Sequence, residues 1–145
     1  MKTLKRIIAA AAVGVVLSVL CPGNAKAQSK DYDGTFLPES FVTDREKPTL
    51  VMLTATWCPP CNTMKKGVMK EEDVEKVLSS MNVVLLDVDT ADGKKLAPGF
   101  RGAGFEGGIP FFCILDKNGV PVKSLIGSTS KGNFLKFLSF ASKEE

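Results

Sequence analysis

The chain predicts an α/β fold, with a central mixed sheet of about four to five strands flanked by helices on both faces. Three observations carry that expectation. Apolar, β-branched runs of strand length at 49–55, 82–89 and 111–115 alternate with segments whose apolar residues recur every three or four positions. The stretch between the first two runs is helical in pattern and long enough for a crossover, which makes those strands parallel neighbours. The run 111–115 is joined to a fourth, Val120 to Ile126, by Asp116-Lys117-Asn118-Gly119, a hairpin turn of the Asn-Gly type, so those two pair antiparallel.

Taken in order, residues 28–38 are polar and Gly-containing, a linker or a first strand. Glu39 to Glu46 suits a short helix closed by Pro48. The strand 49–55 follows, then a helix from about Pro60 to Val68, where proline fits a first turn whose N–H has no partner in any case. Glu71 to Ser80 resumes the helical spacing through Val74, Val77 and Leu78, with Glu71, Glu72 and Asp73 at the end where negative charge is favoured. After the strand 82–89, Ala91 to Ala97 reads as a short helix. Pro98 to Gly108, with five glycines, reads as a mobile loop. Val120 to Ile126 is the returning strand. A last helix runs over 130–142 with Phe134, Leu135, Leu138 and Ala141 on one face, capped by Ser128, Thr129 or Ser130.

The first 27 residues stand apart. Lys2, Lys5 and Arg6 precede an uncharged apolar run of 14 residues, Ile7 to Leu20, and Ala25-Lys26-Ala27 offers small residues at a cleavage site. This is the pattern of a secretory signal peptide, too short to span a membrane comfortably, and it predicts an exported, periplasmic protein whose folded domain covers 39–145. Anchoring through Cys21 or an uncleaved leader is the alternative, although Leu20 is a poor residue before a lipidated cysteine. The leader holds four of the 19 basic residues and none of the 16 acidic ones, so the remainder balances at −1 and offers no basic patch for nucleic acid. The 145 residues include no histidine, which excludes Ser-His-Asp and Cys-His catalysis and histidine-ligated metals.

The chemistry is carried by Trp57-Cys58-Pro59-Pro60-Cys61, set where a strand gives way to a helix. A Cys-x-x-Cys there is a dithiol redox site; a zinc site needs two further ligands at matching spacing. Together with Ile109-Pro110 before the third strand, and the 116–119 hairpin with its final helix, this motif resembles the thioredoxin-fold family over roughly residues 40–142. The local sequence around Cys58 and Cys61 is similar to the periplasmic branch, including the C-terminal domain of the Dsb-type thiol:disulfide interchange reductase.

That resemblance implies a disulfide exchanger with no cofactor and no metal. Its partners would be disulfide-bearing protein substrates and a membrane thiol-electron donor; the oligomeric state stays open, with a monomer as the reading taken. Cys58, ahead of the helix, is expected to be the exposed nucleophile, because the helix N-terminus stabilises its thiolate. Cys61, one turn inside, is the buried resolving thiol. Trp57, Pro59, Pro60, Ile109 and Pro110 form the substrate-binding surface, Pro110 standing at the position of the family's cis-proline. Pro59 and Pro60 remove two N–H donors, which favours a reducing pair, nearer about −270 mV than about −120 mV. An oxidase or isomerase remains the alternative direction, and a redox-inert binding module the alternative of another class. A copper metallochaperone would want a different cysteine spacing and a histidine.

In one place the chain departs from cytosolic thioredoxins. Six residues before the first cysteine that family has a buried Asp that serves the second thiol; here Met52 stands there. Glu106 and Lys65 are the remaining candidates for a proton acceptor, each also readable as a surface charge. Cys113, inside an apolar strand, is expected to be a buried structural thiol and not a third redox cysteine.

Overall fold

The computed structural model describes Leu37 and residues 39–142. The signal peptide assigned to 1–27, with Cys21, and the linker or strand assigned to 28–38 apart from Leu37 lie outside the described residues.

The centre of the fold is β1 (Thr49–Thr54), whose six residues are all buried. It pairs in parallel with β2 (Asn82–Asp87), Thr49 opposite Asn82 through Thr54 opposite Asp87. On its other edge it pairs antiparallel with β3 (Phe111–Leu115), which pairs antiparallel with β4 (Pro121–Ile126). The sheet order is β2-β1-β3-β4, a mixed sheet of four strands. With neighbours on both edges and helices on both faces, β1 needs no polar face, which is why Thr-Leu-Val-Met-Leu-Thr reads as a continuous run.

Side-chain alternation along β1 and β3 divides the core in two. Leu50, Met52, Phe112 and Ile114 point to one face. There they meet α1 (Pro59–Lys66), α2 (Glu72–Leu78) and α4 (Lys131–Leu138) through Met64, Val74, Phe134, Phe137 and Leu138. Phe112 and Phe134 pack edge-on with centroids 5.1 Å apart, tying β3 to α4. Val51, Leu53, Phe111, Cys113 and Leu115 point the other way, onto α3 (Ala91–Leu96) and the 3-10 segment Ala97–Ala103 through Leu96, Ala97 and Phe100.

Caps mark the helix starts. Thr90 accepts a hydrogen bond from Gly93 N at 3.1 Å to open α3, and Ser130, among the three candidates, accepts from Asn133 N at 3.4 Å to open α4. Gly93 also sets how close α3 comes to the sheet. A Cβ at this position would stand 1.8 Å from the Asp87 carbonyl oxygen, so only glycine lets the helix seat against the end of β2.

Three elements differ from expectation. The helix over 39–46 reduces to a 3-10 turn, Glu39–Phe41. The buried Asn82 side chain explains the loss. It accepts from Thr43 Oγ1 at 3.0 Å and Asp44 N at 3.1 Å, and donates to the Asp44 carbonyl at 2.7 Å, holding 43–47 in an irregular turn over the start of β2. The loop expected from Pro98 is helical to Ala103: Ala97 and Phe100, three residues apart, meet the core at one turn of a 3-10 helix, and the glycine density conceals that spacing. In the hairpin, Gly119 alone takes a positive φ, of 78°. Asp116 Oδ1 accepts from Asn118 N and Val120 N at 2.9 and 2.8 Å, and the register slips between Ile114 and Leu115. The result is a turn with a bulge instead of the two-residue mirror-image turn.

Two stability predictions follow from this packing. Gly93→Ala should lower the unfolding free energy by about 1–3 kcal/mol. Gly132→Ala, in α4 with open space around the added carbon, should raise it by about 0.5–1 kcal/mol; urea titration of both variants checks the contrast. Thr54 Oγ1 is a buried side-chain oxygen without a hydrogen-bond partner among the described residues. Thr54→Val removes the unmet polar group while keeping the shape, and should stabilise by about 1 kcal/mol in the same titration.

Candidate functional site

The chain leaves β1 at Thr54 and turns at once, with Cys58 N donating to the Ala55 carbonyl at 3.3 Å. Cys58 then caps α1 in an extended conformation, with φ −87° and ψ 104°. Its sulfur accepts from Cys61 N at 3.3 Å. Pro59 and Pro60 occupy the first helical positions, where N–H groups would otherwise point at that sulfur, so within this turn Cys61 N is the backbone donor it meets. Asn62 N donates to the Cys58 carbonyl at 3.1 Å, closing the first turn of the helix.

Cys58 and Cys61 form a disulfide with their Cα atoms 5.3 Å apart. Cys61 is fully buried, as expected of the inner sulfur. Cys58 is only 2 % exposed, which corrects the expectation of an exposed sulfur. In the disulfide it is held inward against the core, and the solvent-facing positions belong to its neighbours: Trp57 is 67 % exposed, and Pro59 and Pro60 are exposed as well.

A second segment meets the first from across the sheet. The Ile109–Pro110 peptide bond is cis, and the Ile109 carbonyl oxygen lies 3.9 Å from Cys58 Sγ, an acceptor within reach of the thiol once the disulfide opens. Pro110 is buried, and its carbonyl accepts from Gly127 N at 2.7 Å. Ile126, 57 % exposed, stands beside Gly108. The structure therefore brings all seven sequence-derived site residues to one end of the sheet: Trp57, Cys58, Pro59, Pro60 and Cys61 from the β1–α1 junction, Ile109 and Pro110 from the approach to β3.

Sequence reasoning missed Asp89. Its Oδ2 accepts from Trp57 Nε1 at 2.6 Å, which anchors an exposed indole. Asp89 is itself placed by a tight turn in which Asp87 Oδ1 accepts from Asp89 N at 3.0 Å. The signal was available in the topology. Parallel strands end side by side, so residues just beyond β2 must lie next to those just beyond β1.

The remaining candidates have different surroundings. Met52 is fully buried in the same apolar cluster as Cys58 and Cys61. Lys65 lines a groove with Val83 and Leu85 at the β2 edge, and Glu106 lines a different cavity beside Arg101. Cys113 is a free thiol on the opposite face of the sheet from the disulfide, packed among Val51, Leu53 and Phe111. Burial pushes its pKa up from an ordinary 9.0 to about 12, so it stays protonated and inert.

That burial has a pH consequence. The native state keeps the Cys113 proton well above pH 9, whereas the unfolded chain releases it, so this thiol's contribution to stability is complete below about pH 9 and is lost as pH rises towards 12. Urea unfolding of the disulfide-intact protein should show a fall of about 1–2 kcal/mol between pH 8.5 and pH 10.5 that is absent in Cys113→Val. Equal falls in both proteins would refute it.

Comparison with known proteins agrees with this geometry. A family model described as thioredoxin-like matches residues 40–117. Among curated proteins, a thioredoxin of Mycolicibacterium smegmatis is 38% identical over 106 residues, 71% of this chain and 88% of that protein. Among solved structures, a thioredoxin from Thermus thermophilus superposes with a TM-score of 0.59 at 27% identity, covering 68% of this chain and 75% of the other. The oxidised C-terminal domain of Neisseria meningitidis DsbD superposes at 0.56 over 68% of this chain and 84% of that domain, a likeness of fold at 19% identity.

Proposed function

Because the chain belongs to the thioredoxin-like family, we propose that it is an exported thiol:disulfide oxidoreductase that reduces disulfides in other proteins. Oxidoreductase chemistry is supported by the family and by the Cys58–Cys61 disulfide. Export rests on the leader, with Lys2 to Arg6, the apolar run Ile7 to Leu20 and Ala25-Lys26-Ala27.

The observation that carries the reading is the placing of the two sulfurs. Cys58 sits at the N-cap of α1, with its sulfur meeting the Cys61 N–H, while Cys61 is sealed beneath it. In the reduced protein the Cys58 thiolate attacks one sulfur of a substrate disulfide, and the other substrate sulfur leaves as a thiolate that takes up a proton. Cys61 then loses its proton and attacks Cys58 Sγ. The Cys58–Cys61 disulfide forms, and the second substrate sulfur departs as a thiol. Two electrons and two protons pass from the dithiol to the substrate. A thiol-based electron donor must return them, since the reaction leaves the pair oxidised, and for an exported protein we place that donor at the membrane.

Pro59 and Pro60 favour the reducing direction. They leave the Cys58 sulfur few backbone donors, so the dithiol form gains little extra stability and the pair gives up its electrons readily. Trp57 and the backbone at Ile109 and Pro110 would form the walls against which the substrate chain lies.

The reduction potential tests this. Trp57 is the single tryptophan of the chain, so its fluorescence reports on the site alone. Equilibration in graded thiol buffers should give one two-electron transition below about −220 mV, absent in Cys58→Ser. A value above about −180 mV would assign the protein to oxidation or isomerisation. No transition would make it a redox-inert binding module.

A further inference from the structure

On the α3 side of the sheet, between the segments that lead to Asp89 and to Ile109, lies a cavity of about 380 Å³ that the exchange step does not use. Its walls come from Val88 beyond β2, Lys94 on α3, Arg101 in the 3-10 segment, and Phe105, Glu106 and Gly107 ahead of Ile109. We propose, building on the reductase reading, that this cavity receives an acidic side chain of the substrate protein close to the disulfide being reduced, with Arg101 and Lys94 as the residues that select it.

Continuity with the site is the first argument. Val88 adjoins Asp89, which holds the Trp57 indole. Gly107 stands two residues before Ile109, whose carbonyl lies against Cys58 Sγ. The cavity is thus bounded by continuations of the same two segments that flank the disulfide, so a substrate chain that crosses Cys58 in the direction of α3 is led towards it. Gly107 keeps that approach open. Its φ of 96° disfavours a side chain, and no atom lies within 4 Å of where a Cβ would stand.

Charge is the second argument. Lys94, Arg101 and Glu106 are all exposed at the rim. None of the three has a side-chain hydrogen bond or ion pair with another described residue, so each is available to a ligand. A carboxylate placed here would meet two cations against one anion, and the Arg101 guanidinium can take it in a bidentate manner. A lysine would meet the opposite balance. Ala97 and Phe105 supply an apolar wall for the methylenes of a Glu or Asp side chain.

The test uses the full chain, reduced, with two otherwise identical disulfide peptides carrying Glu or Lys near one half-cystine. At low salt the Glu peptide should react about three- to fivefold faster in kcat/KM, the range expected of exposed charge pairs. The preference should shrink at 0.5 M salt, as screening requires, and should vanish or invert in Arg101→Glu and again in Lys94→Glu. The ratio between two peptides on one protein cancels any change in folded fraction. Equal rates for the two peptides, or a preference untouched by both substitutions, would overturn the inference while leaving the reductase reading intact. Failure to reduce even a small uncharged disulfide would overturn that reading, and the inference with it.

Discussion

The arrangement of the site follows from β1 having no solvent-facing side. Both edges of this strand are paired, and both faces are covered, by α1, α2 and α4 on one side and by α3 with the 97–103 turn on the other. Its backbone groups are met by the ladders and its side chains by the core, so the chain can emerge only at the strand ends. The end of β1 delivers Trp57 and Cys58. Parallel pairing brings the end of β2, and so Asp89, alongside, with Val88 N donating to the Thr54 carbonyl at 2.9 Å. Antiparallel pairing brings the start of β3, and so Ile109 and Pro110, to the same place, because Leu53 lies opposite Phe111. One buried strand therefore assembles a site from three segments distant in sequence.

The same burial gives the two sulfurs different surroundings. Cys61 belongs to a cluster that includes Leu50, Met52, Met64 and Phe112. Cys58 lies at its boundary, where the helix N-terminus and the Ile109 carbonyl supply polar partners. Met52 stands in that cluster at the position where a buried carboxylate serves the second thiol in cytosolic thioredoxins, so the inner thiol has an apolar side chain there.

Local chemistry made much of this legible in the sequence. The run 49–54, the dithiol at its end, the parallel second strand and the hairpin each show a pattern that their own residues dictate. What stayed hidden depended on partners far along the chain. Asn82 looks like an ordinary first residue of a strand, yet its amide replaces the helix that 39–46 would otherwise favour. Phe100 is surrounded by glycines, and only the core contact shows why that stretch coils. Phe137 lies outside the helix face inferred from spacing, but it packs 5.9 Å from Phe134, stacked against it. Asp89 carries no local signal at all and becomes visible only once strand order is known.

The two parts of the site differ in what they are made of, and that difference bears on how selectivity can vary. The groups acting on the sulfurs are largely main chain: the Cys61 N–H and the Ile109 carbonyl. Their positions follow from the strand pairing and the helix start, so surface substitutions leave them in place. The charges of the cavity on the α3 side sit on α3, the 3-10 turn and the glycine-rich segment, none of which carries a sulfur. Gly93 seats α3 against β2 and so sets where Lys94 stands relative to Asp89. On the proposed reading, a change of charge on these segments alters which partners are chosen without altering the exchange, because choice of partner and transfer of electrons depend on different atoms held by a common sheet.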